Sequence, residues 1–429
     1  MPLAGRSVSC VVIPDPVGLC LASMEEHVRS GRSAGPLGLV VAVLVAAVAS
    51  CTATSADKGA AAACDAPGVT PDKVNLGMVL SDTGVGSATF SSARSGAAAR
   101  IGLANEEGGV HGRTISYEWH DDASSPSQNA RVTEDLIRGG GVLGVMLVST
   151  GVGDSLPALA AEGVPVVGFG LPSWSRFPNM FSNMYEASPV TVGQYVRASG
   201  GRKVGIVATG TSAAVTENLG RYRAAFESVG LVLTDTIPFA STDSPSGVVQ
   251  QLASAGADSL VSFTTPDDLA RIVQAAQAAN LGLAPTVSFA GYDQSLLPIL
   301  GTALAGVSFP VYTRPFEAGG TALDRYRTAM ARFAPEIVHP DQQFALQAYI
   351  YTDMFLRGLD LAGACPTRDG FIQALRKVSA YDAGGLIEPV NLSTNPTQPL
   401  SCYAFVRINA GGTDFEVNRQ HVCADGTSS

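Results

Sequence analysis

Six polar, glycine-rich loops hold the residues of this sequence that are best suited to bind a ligand. Each loop follows a short apolar run that predicts a β-strand, and the carboxyl ends of parallel strands are where such sheets bind ligands. Hydroxyl groups and backbone N–H groups at helix starts suit a carboxylate. Asp82 or Asp293 could supply the negative charge that an ammonium group needs. The loops cover residues 81–87, 149–153, 170–174, 209–212, 264–266 and 291–293.

Motifs that would indicate catalysis are missing. The sequence has no G-x-S-x-G turn, no G-x-x-x-x-G-K-[ST] phosphate loop and no H-E-x-x-H helix. His111, His120, His339 and His421 are scattered, which argues against a metal cluster. Residues 139–144 match G-x-G-x-x-G, but a predicted helix precedes them and a strand follows, the reverse of a dinucleotide-binding loop. We therefore expect a binding protein, not an enzyme, with no cofactor and no metal.

Strands and helices alternate from about Val74, which predicts parallel sheets with helices on both faces. The alternation occurs twice, with a break near 185–190. We therefore expect an α/β protein of two Rossmann-like lobes joined by a hinge. Lobe 1 should comprise 74–187 with about 318–385 returning to it, and lobe 2 should comprise 188–317 with about 386–429 returning. The predicted strands are 74–80, 114–120, 142–148, 164–169, 203–208, 231–236, 258–263, 286–290 and 402–408.

The composition is that of a globular, acidic protein. Of the 429 residues, 46% are hydrophobic and 15% are charged, and the net charge is −10. An acidic chain without a basic run is a poor candidate for nucleic-acid binding.

The N-terminus has the pattern of a bacterial lipoprotein signal. Arg29 and Arg32 precede an unbroken apolar run over 37–49, and small residues lead from that run to Cys51. We expect residues 1–50 to be a signal peptide, with Met24 a more ordinary start than Met1. Cys51 should then carry a lipid that anchors the exported protein to the extracytoplasmic face of the cell membrane. The alternatives are a plain signal peptide with a chance cysteine, or a short membrane anchor.

The segment after this cysteine is rich in alanine, threonine and glycine, so 51–73 is predicted to be the lipidated end and a flexible tether. Four cysteines, Cys64, Cys365, Cys402 and Cys423, belong to the exported body, and an even number predicts two disulfides. Three pairings are possible, and we favour Cys365–Cys402 with Cys64–Cys423. A zinc site is the alternative, but no two of these cysteines lie close together in sequence.

Two linked motifs resemble a known family. Residues 105–113 have the form NxxGGxxG, and 120–128 have the form DDxxxP after an intervening strand. The pair resembles the branched-chain amino acid (Leu/Ile/Val-binding) type of ABC-transporter substrate-binding proteins, which have the type I periplasmic-binding-protein fold. The resemblance covers about 74–408. It implies two lobes that close like a Venus flytrap on an amino acid or related solute and deliver it to an ABC transporter permease.

The resemblance also implies roles for particular residues. Ser149 and Thr150 match the positions that hold the ligand's α-carboxylate, and Gly170 and Ser173 match the contacts after the fourth strand. In the second lobe, Tyr292–Asp293 falls where an acidic residue holds the α-ammonium. The full predicted binding set is Ser81, Thr83, Ser149, Thr150, Gly170, Ser173, Trp174, Tyr185, Thr211, Thr264, Tyr292 and Asp293.

One loop departs from the family pattern. The family often carries an aromatic-glycine pair after the first strand of the second lobe, where this chain has 209–212 (TGTS). The departure indicates a different or larger solute. Trp174, Phe181 and Tyr185 are candidates to line its pocket, although aromatic residues more often pack in a core.

Two other functions stay open at this point. The same fold could feed a receptor or regulator as a ligand-sensing lipoprotein. An exported, lipid-anchored hydrolase is the third possibility, and the missing nucleophile and metal motifs argue against it.

Overall fold

The computed structural model of the protein describes residues 64–139, 141–149, 151–153, 155–210, 213–395 and 399–429. The predictions for the signal peptide and Cys51, and those for Thr150 and Thr211, lie outside these residues. Within the described part of the chain, no helix is long and apolar enough to cross a membrane.

The first half of the chain forms a five-stranded parallel sheet in the order β2-β1-β3-β4-β5. All five residues of its third strand (GVMLV) are buried, because helices cover both faces. The strands are β1 (Lys73–Leu80), β2 (Thr114–Asp121), β3 (Gly144–Val148), β4 (Val166–Gly168) and β5 (Met180–Phe181), and the helices are α1 (Ser87–Phe90), α2 (Ala93–Glu106), α3 (Pro126–Arg138) and α4 (Ser155–Ala161).

The second sheet has seven strands in the order β12-β11-β10-β9-β8-β6-β7. Its helices are α5 (Pro189–Ala198), α6 (Ala213–Ser228), α7 (Pro245–Ser254), α8 (Pro266–Ala278) and α9 (Leu297–Leu300). Its strands are β6 (Lys203–Ala208), β7 (Val232–Pro238), β8 (Ser259–Phe263), β9 (Thr286–Ser288), β10 (Ser308–Val311), β11 (Cys402–Ile408) and β12 (Phe415–Cys423).

The predicted α/β class with two lobes is confirmed, with one correction to the second sheet. Strands β6 to β10 are parallel, whereas β10 pairs with β11 and β11 pairs with β12 in antiparallel fashion. The sequence prediction missed β5, β10 and β12. For β11 and β12, antiparallel pairing follows from the short 409–414 connection, since only antiparallel neighbours can be joined by so short a turn.

Three helices that lie between β10 and β11 in the chain complete the first lobe. They are α10 (Thr321–Phe333), α11 (Gln343–Ala362) and α12 (Arg368–Leu375). Helix α11 packs on α2 and α12, and α10 packs on α2. A Cβ at Gly96 in α2 would collide with the carbonyl oxygen of Ala345 in α11. Glycine at this position therefore allows α2 and α11 to cross at backbone contact distance.

The chain passes between the lobes three times, and the crossing segments hydrogen-bond to one another. The Leu400 N–H donates to the Glu186 carbonyl at 2.8 Å, and the Ser188 N–H donates to the Leu400 carbonyl at 2.9 Å. The Arg314 N–H donates to the Leu386 carbonyl at 2.7 Å. These pairs form the hinge, because they are the backbone connections between the two sheets.

The favoured disulfide pairing is wrong. Cys64 is joined to Cys365, and Cys402 is joined to Cys423 across β11 and β12. Cys402 and Cys423 are cross-strand partners, and the sequence prediction missed β12, the strand that holds Cys423. His421 lies close to this pair, but the disulfide leaves no thiolate there for the zinc alternative.

The start of the body also differs from the prediction. Besides the Cys64 disulfide, the Arg113 guanidinium donates from Nε to the Thr70 carbonyl at 2.8 Å and from Nη1 to the Ala364 carbonyl at 2.7 Å. Val69 pairs with Val74 in an antiparallel bridge. Residues 64–72 therefore belong to the folded body, and the expected tether does not extend to residue 73.

Candidate functional site

A cleft of about 590 Å³ lies between the two lobes, at the carboxyl ends of the strands. Loops after β1 and β4 line one side, and loops after β6, β8, β9 and β10 line the other. The N-terminal half of helix α11, from Gln343 to Tyr351, also lines the cleft. The aromatic lining residues are Phe90, Phe169, Tyr185, Tyr222, Phe263, Phe289, Tyr312, Phe344 and Tyr351.

Three phenylalanines form the aromatic wall of the first lobe. Phe90 lies edge-on to Phe169 and to Phe344, with ring centroids 5.3 and 4.7 Å apart, and Phe169 lies 5.9 Å from Phe344. These edge-to-face contacts hold the rings in place. We call Phe90, Phe169 and Phe344 the first aromatic triad.

A matching group lies in the second lobe. Phe263 stacks on Phe289 at 4.7 Å, and Tyr222 lies edge-on to both at 4.9 and 5.3 Å. We call Tyr222, Phe263 and Phe289 the second aromatic triad. The two triads line the same cleft, so a solute between the lobes meets apolar rings from both of them.

Among the lining residues whose side chains the structure describes, two are charged, and they form an ion pair. Arg221 on α6 contacts the carboxylate of Glu186, which lies on the first hinge segment. The pair thus joins the second lobe to the hinge. The two charges offset each other, although the buried Glu186 Oε1 has no hydrogen-bond partner among the described residues.

The remaining polar lining is neutral and includes a row on α11. Gln343, Gln347 and Tyr351 are spaced by four residues, so they share one face of the helix. Gln347 is only 3% exposed, and its Oε1 has no hydrogen-bond partner among the described residues. Burial raises the pKa of Tyr351 and that of Tyr312, so both hydroxyls are uncharged at physiological pH.

Three of the predicted binding residues line the cleft: Gly170, Tyr185 and Thr264. The Tyr185 hydroxyl donates to the Met180 carbonyl at 2.8 Å and lies 2.8 Å from Asn395 Oδ1. Burial raises the pKa of Tyr185 to about 12. The Thr264 hydroxyl lies 2.8 Å from that of Ser262. Polar atoms of Tyr185 and Thr264 are thus already engaged within the protein.

Ser81 and Ser149 do not line the cleft, which corrects the prediction from their position at strand ends. Both are fully buried. The Ser81 hydroxyl lies 2.8 Å from Asp122 Oδ1 and 3.1 Å from the Ser149 hydroxyl, which accepts a hydrogen bond from the Gly151 N–H at 2.8 Å. These hydroxyls connect neighbouring loops rather than present themselves to a solute.

The Thr83 side chain likewise contacts a neighbouring loop and not the cleft. Its hydroxyl donates to Asp121, whose Oδ1 also accepts from the N–H groups of Asp82 and Thr83 at 3.0 and 3.1 Å. Burial raises the pKa of Asp121, but these hydrogen bonds outweigh burial and hold the pKa below its ordinary value. The DDxxxP motif therefore holds the loops after β1 and β2 together.

Tyr292 and Asp293 line a smaller cavity that adjoins the cleft and shares Ala290, Gln343 and Phe344 with it. Asp293 Oδ1 accepts from the Ser295 N–H at 2.8 Å and caps a short helical turn beside this cavity, whose volume is about 170 Å³. Burial raises the pKa of Asp293. The Tyr292 hydroxyl donates to Glu317 at 2.8 Å and accepts from the Phe316 N–H at 2.8 Å. The predicted ammonium partner is thus a capping residue.

The aromatic candidates before the hinge belong mostly to the core. Trp174 is fully buried, and its Nε1 has no partner among the described residues. Phe181 is fully buried with the Arg376 guanidinium 4.0 Å from its ring centroid. Ser173 lies in the 3₁₀ turn Pro172–Arg176 and does not line the cleft.

Sequence reasoning missed the triads, although a signal was present. Phe169, Phe263 and Phe289 each stand at the last position of a strand or directly after it, just before a polar loop. The prediction rested on the hydroxyls and carboxylates of those loops, whereas the rings beside them line the cleft. Gln347 had a signal as well, as a polar residue within a helix whose neighbours are nearly all buried and apolar.

Comparisons with known proteins agree with this geometry. The family model described as periplasmic binding protein matches residues 73–413. A search of curated protein sequences finds no match. Among solved structures, the fatty acid ABC transporter substrate-binding protein from Thermomonospora curvata has a TM-score of 0.73 at 20% identity, covering 84% of this chain and 95% of that one.

Two further structures show the same fold. A solute-binding protein of an R. palustris ABC transporter, solved with benzoate, has a TM-score of 0.68 at 18% identity and covers 82% of this chain and 96% of its own. A leucine-binding protein from Thermotoga maritima has a TM-score of 0.67 at 17% identity and covers 82% and 99%. This chain therefore belongs to the periplasmic binding protein family, a family of binding proteins and not of enzymes, and its two lobes have the type I fold of these structures.

Proposed function

We propose that this protein captures a small, largely apolar organic solute in the interlobe cleft and delivers it to its ABC transporter permease, held at the membrane by a lipid on Cys51. The observation that carries the proposal is the pair of aromatic triads, one from each lobe, lining a single cleft. Burying apolar solute surface between them would favour the closed form of the protein.

The proposal replaces the predicted amino-acid ligand with a solute that lacks the charged ammonium group. A free amino acid needs an anionic partner for its ammonium group and donors or a cation for its carboxylate. Asp293 caps a turn beside the cleft, and Glu186 contacts Arg221. Leucine, fatty acid and benzoate appear in the names of distant relatives, and all of them have an apolar body.

Closure links binding to transport. A solute that contacts both triads is bound more tightly when the lobes are closed, so it shifts the population of the protein to that form. The permease can then recognise loaded protein by its closed shape.

A thermal-shift screen of the purified body tests the proposal. The panel compares leucine and phenylalanine with acids, amides and alcohols that keep the apolar body but lack the α-amino group. We expect stabilisation by members of the second set, since a ligand that binds only the folded state raises Tm. Phe289→Ala should remove the shift, whereas Val338→Ala, at an exposed site 80% accessible to solvent, should retain it. Stabilisation by the amino acids alone would contradict the proposal.

A further inference from the structure

The side chains that could hydrogen-bond to a polar group of the solute form a row on α11. Gln343, Gln347 and Tyr351 line the cleft at successive intervals of four residues, beside Phe344 of the first aromatic triad. A solute whose apolar body lies between the triads would thus place a polar group against this row.

Gln347 is the buried member of the row. It is 3% exposed, and its Oε1 finds no hydrogen-bond partner in the part of the chain that the structure describes. Buried amide groups in native proteins are nearly always bonded, so an unbonded one at a cleft indicates a missing partner. Because an amide carries both donors and an acceptor, its best partner also has both.

The charges of the cleft decide between possible head groups. Arg221 and Glu186 already neutralise each other, and the remaining described side chains of the lining are uncharged. A carboxylate or an ammonium entering this aromatic cleft would lose its hydration, and it could pair with Arg221 or Glu186 only by competing with the contact between them. A primary amide or a hydroxyl loses much less and can pair with the glutamine.

We infer that the solute is uncharged, with an aromatic or aliphatic body and one amide or hydroxyl group that hydrogen-bonds to Gln347. The inference rests on the proposed function, because it concerns the same cleft. It differs from an amino-acid ligand and from the benzoate of the R. palustris structure, both of which carry charge.

Calorimetric titration with matched probes tests the inference. Phenylacetamide, phenylacetate and phenethylamine share one body, and hexanamide, hexanoate and hexylamine share another. At pH 7 we expect at least one of the two amides to bind at least tenfold more tightly than both charged analogues of its body. Gln347→Leu should weaken amide binding at least tenfold, and so should Gln347→Met, whose shape is closer to glutamine. Gln373→Leu, at an exposed site on α12, should leave it unchanged.

Three outcomes overturn the inference. If a carboxylate or amine binds more tightly than its amide, the head group is charged, while the proposed apolar solute stands. If folded Gln347 variants keep full affinity for the amide, the glutamine does not hydrogen-bond to the polar group of the solute. If no probe binds and the earlier screen finds no stabiliser, the proposed function fails together with the inference.

Discussion

Directly after β2, the fully buried carboxylate of Asp122 binds three segments at once. Its Oδ1 lies 2.8 Å from the Ser81 hydroxyl and accepts from the Ser124 N–H at 2.8 Å, and its Oδ2 accepts from Asn129 Nδ2 at 2.7 Å. The DDxxxP motif that contains Asp122 was recognisable in the sequence, but its hydrogen bonds were not. Its part in the protein is to fix the loops that frame the cleft.

Removing this carboxylate should destabilise the protein markedly. We expect Asp122→Ala to lower the free energy of unfolding by about 3 kcal/mol, because it leaves buried donors without an acceptor. Urea unfolding followed by circular dichroism measures the change. Asp135→Ala, at an exposed position on α3, is the control and should change stability by less than about 0.5 kcal/mol. Equal effects of the two substitutions would refute this account.

At the scale of elements, the disulfides show what periodicity cannot reveal. The apolar pattern predicted β11 with the bounds that the structure has, because this strand is buried along most of its length. Strand β12 alternates weakly and is largely half-buried or exposed. Without it, the proximity of Cys402 and Cys423 had no sequence signature, so the pairing could not be predicted.

The two disulfides should differ in their contribution to stability. Cys64–Cys365 spans 301 residues and Cys402–Cys423 spans 21. In the chain-entropy model the longer closure restricts the unfolded chain more, by about 2 kcal/mol. We expect the Cys64→Ser/Cys365→Ser variant to unfold at a lower urea concentration than Cys402→Ser/Cys423→Ser. The reverse order would show that native contacts at the shorter link dominate.

At the scale of the whole molecule, the position of the cleft follows from topology. Parallel strands in both sheets direct their carboxyl ends to the space between the lobes, and the hinge segments close its back. The proposed lipid anchor suits such a body, because a receptor that serves a permease, as we propose for this protein, must stay near the membrane. Diacylglycerol supplies the two acyl chains that stable anchoring needs.

The anchor can be tested in cells that process lipoproteins. Cys51→Ser should move the protein from the membrane fraction to the soluble exported fraction, because the thiol that accepts the lipid is gone. Ser50→Ala keeps a small residue before the cysteine and should stay with the membrane. Fractionation with immunodetection reads out both, and an unchanged distribution of Cys51→Ser would rule out lipid at that residue.

The sequence by itself determined the two-lobed α/β class, the bounds of the long buried elements and the candidate loops, because hydrophobic periodicity and turn residues are local properties. Gly170, Tyr185 and Thr264 could be placed at the cleft on that basis. Only the tertiary structure decided which side chains face it, since hydrogen bonding turned Ser81, Ser149 and Asp293 inward or aside. It also brought together aromatic rings from separate strands and the row on α11, contacts between residues far apart in the chain that no local pattern encodes.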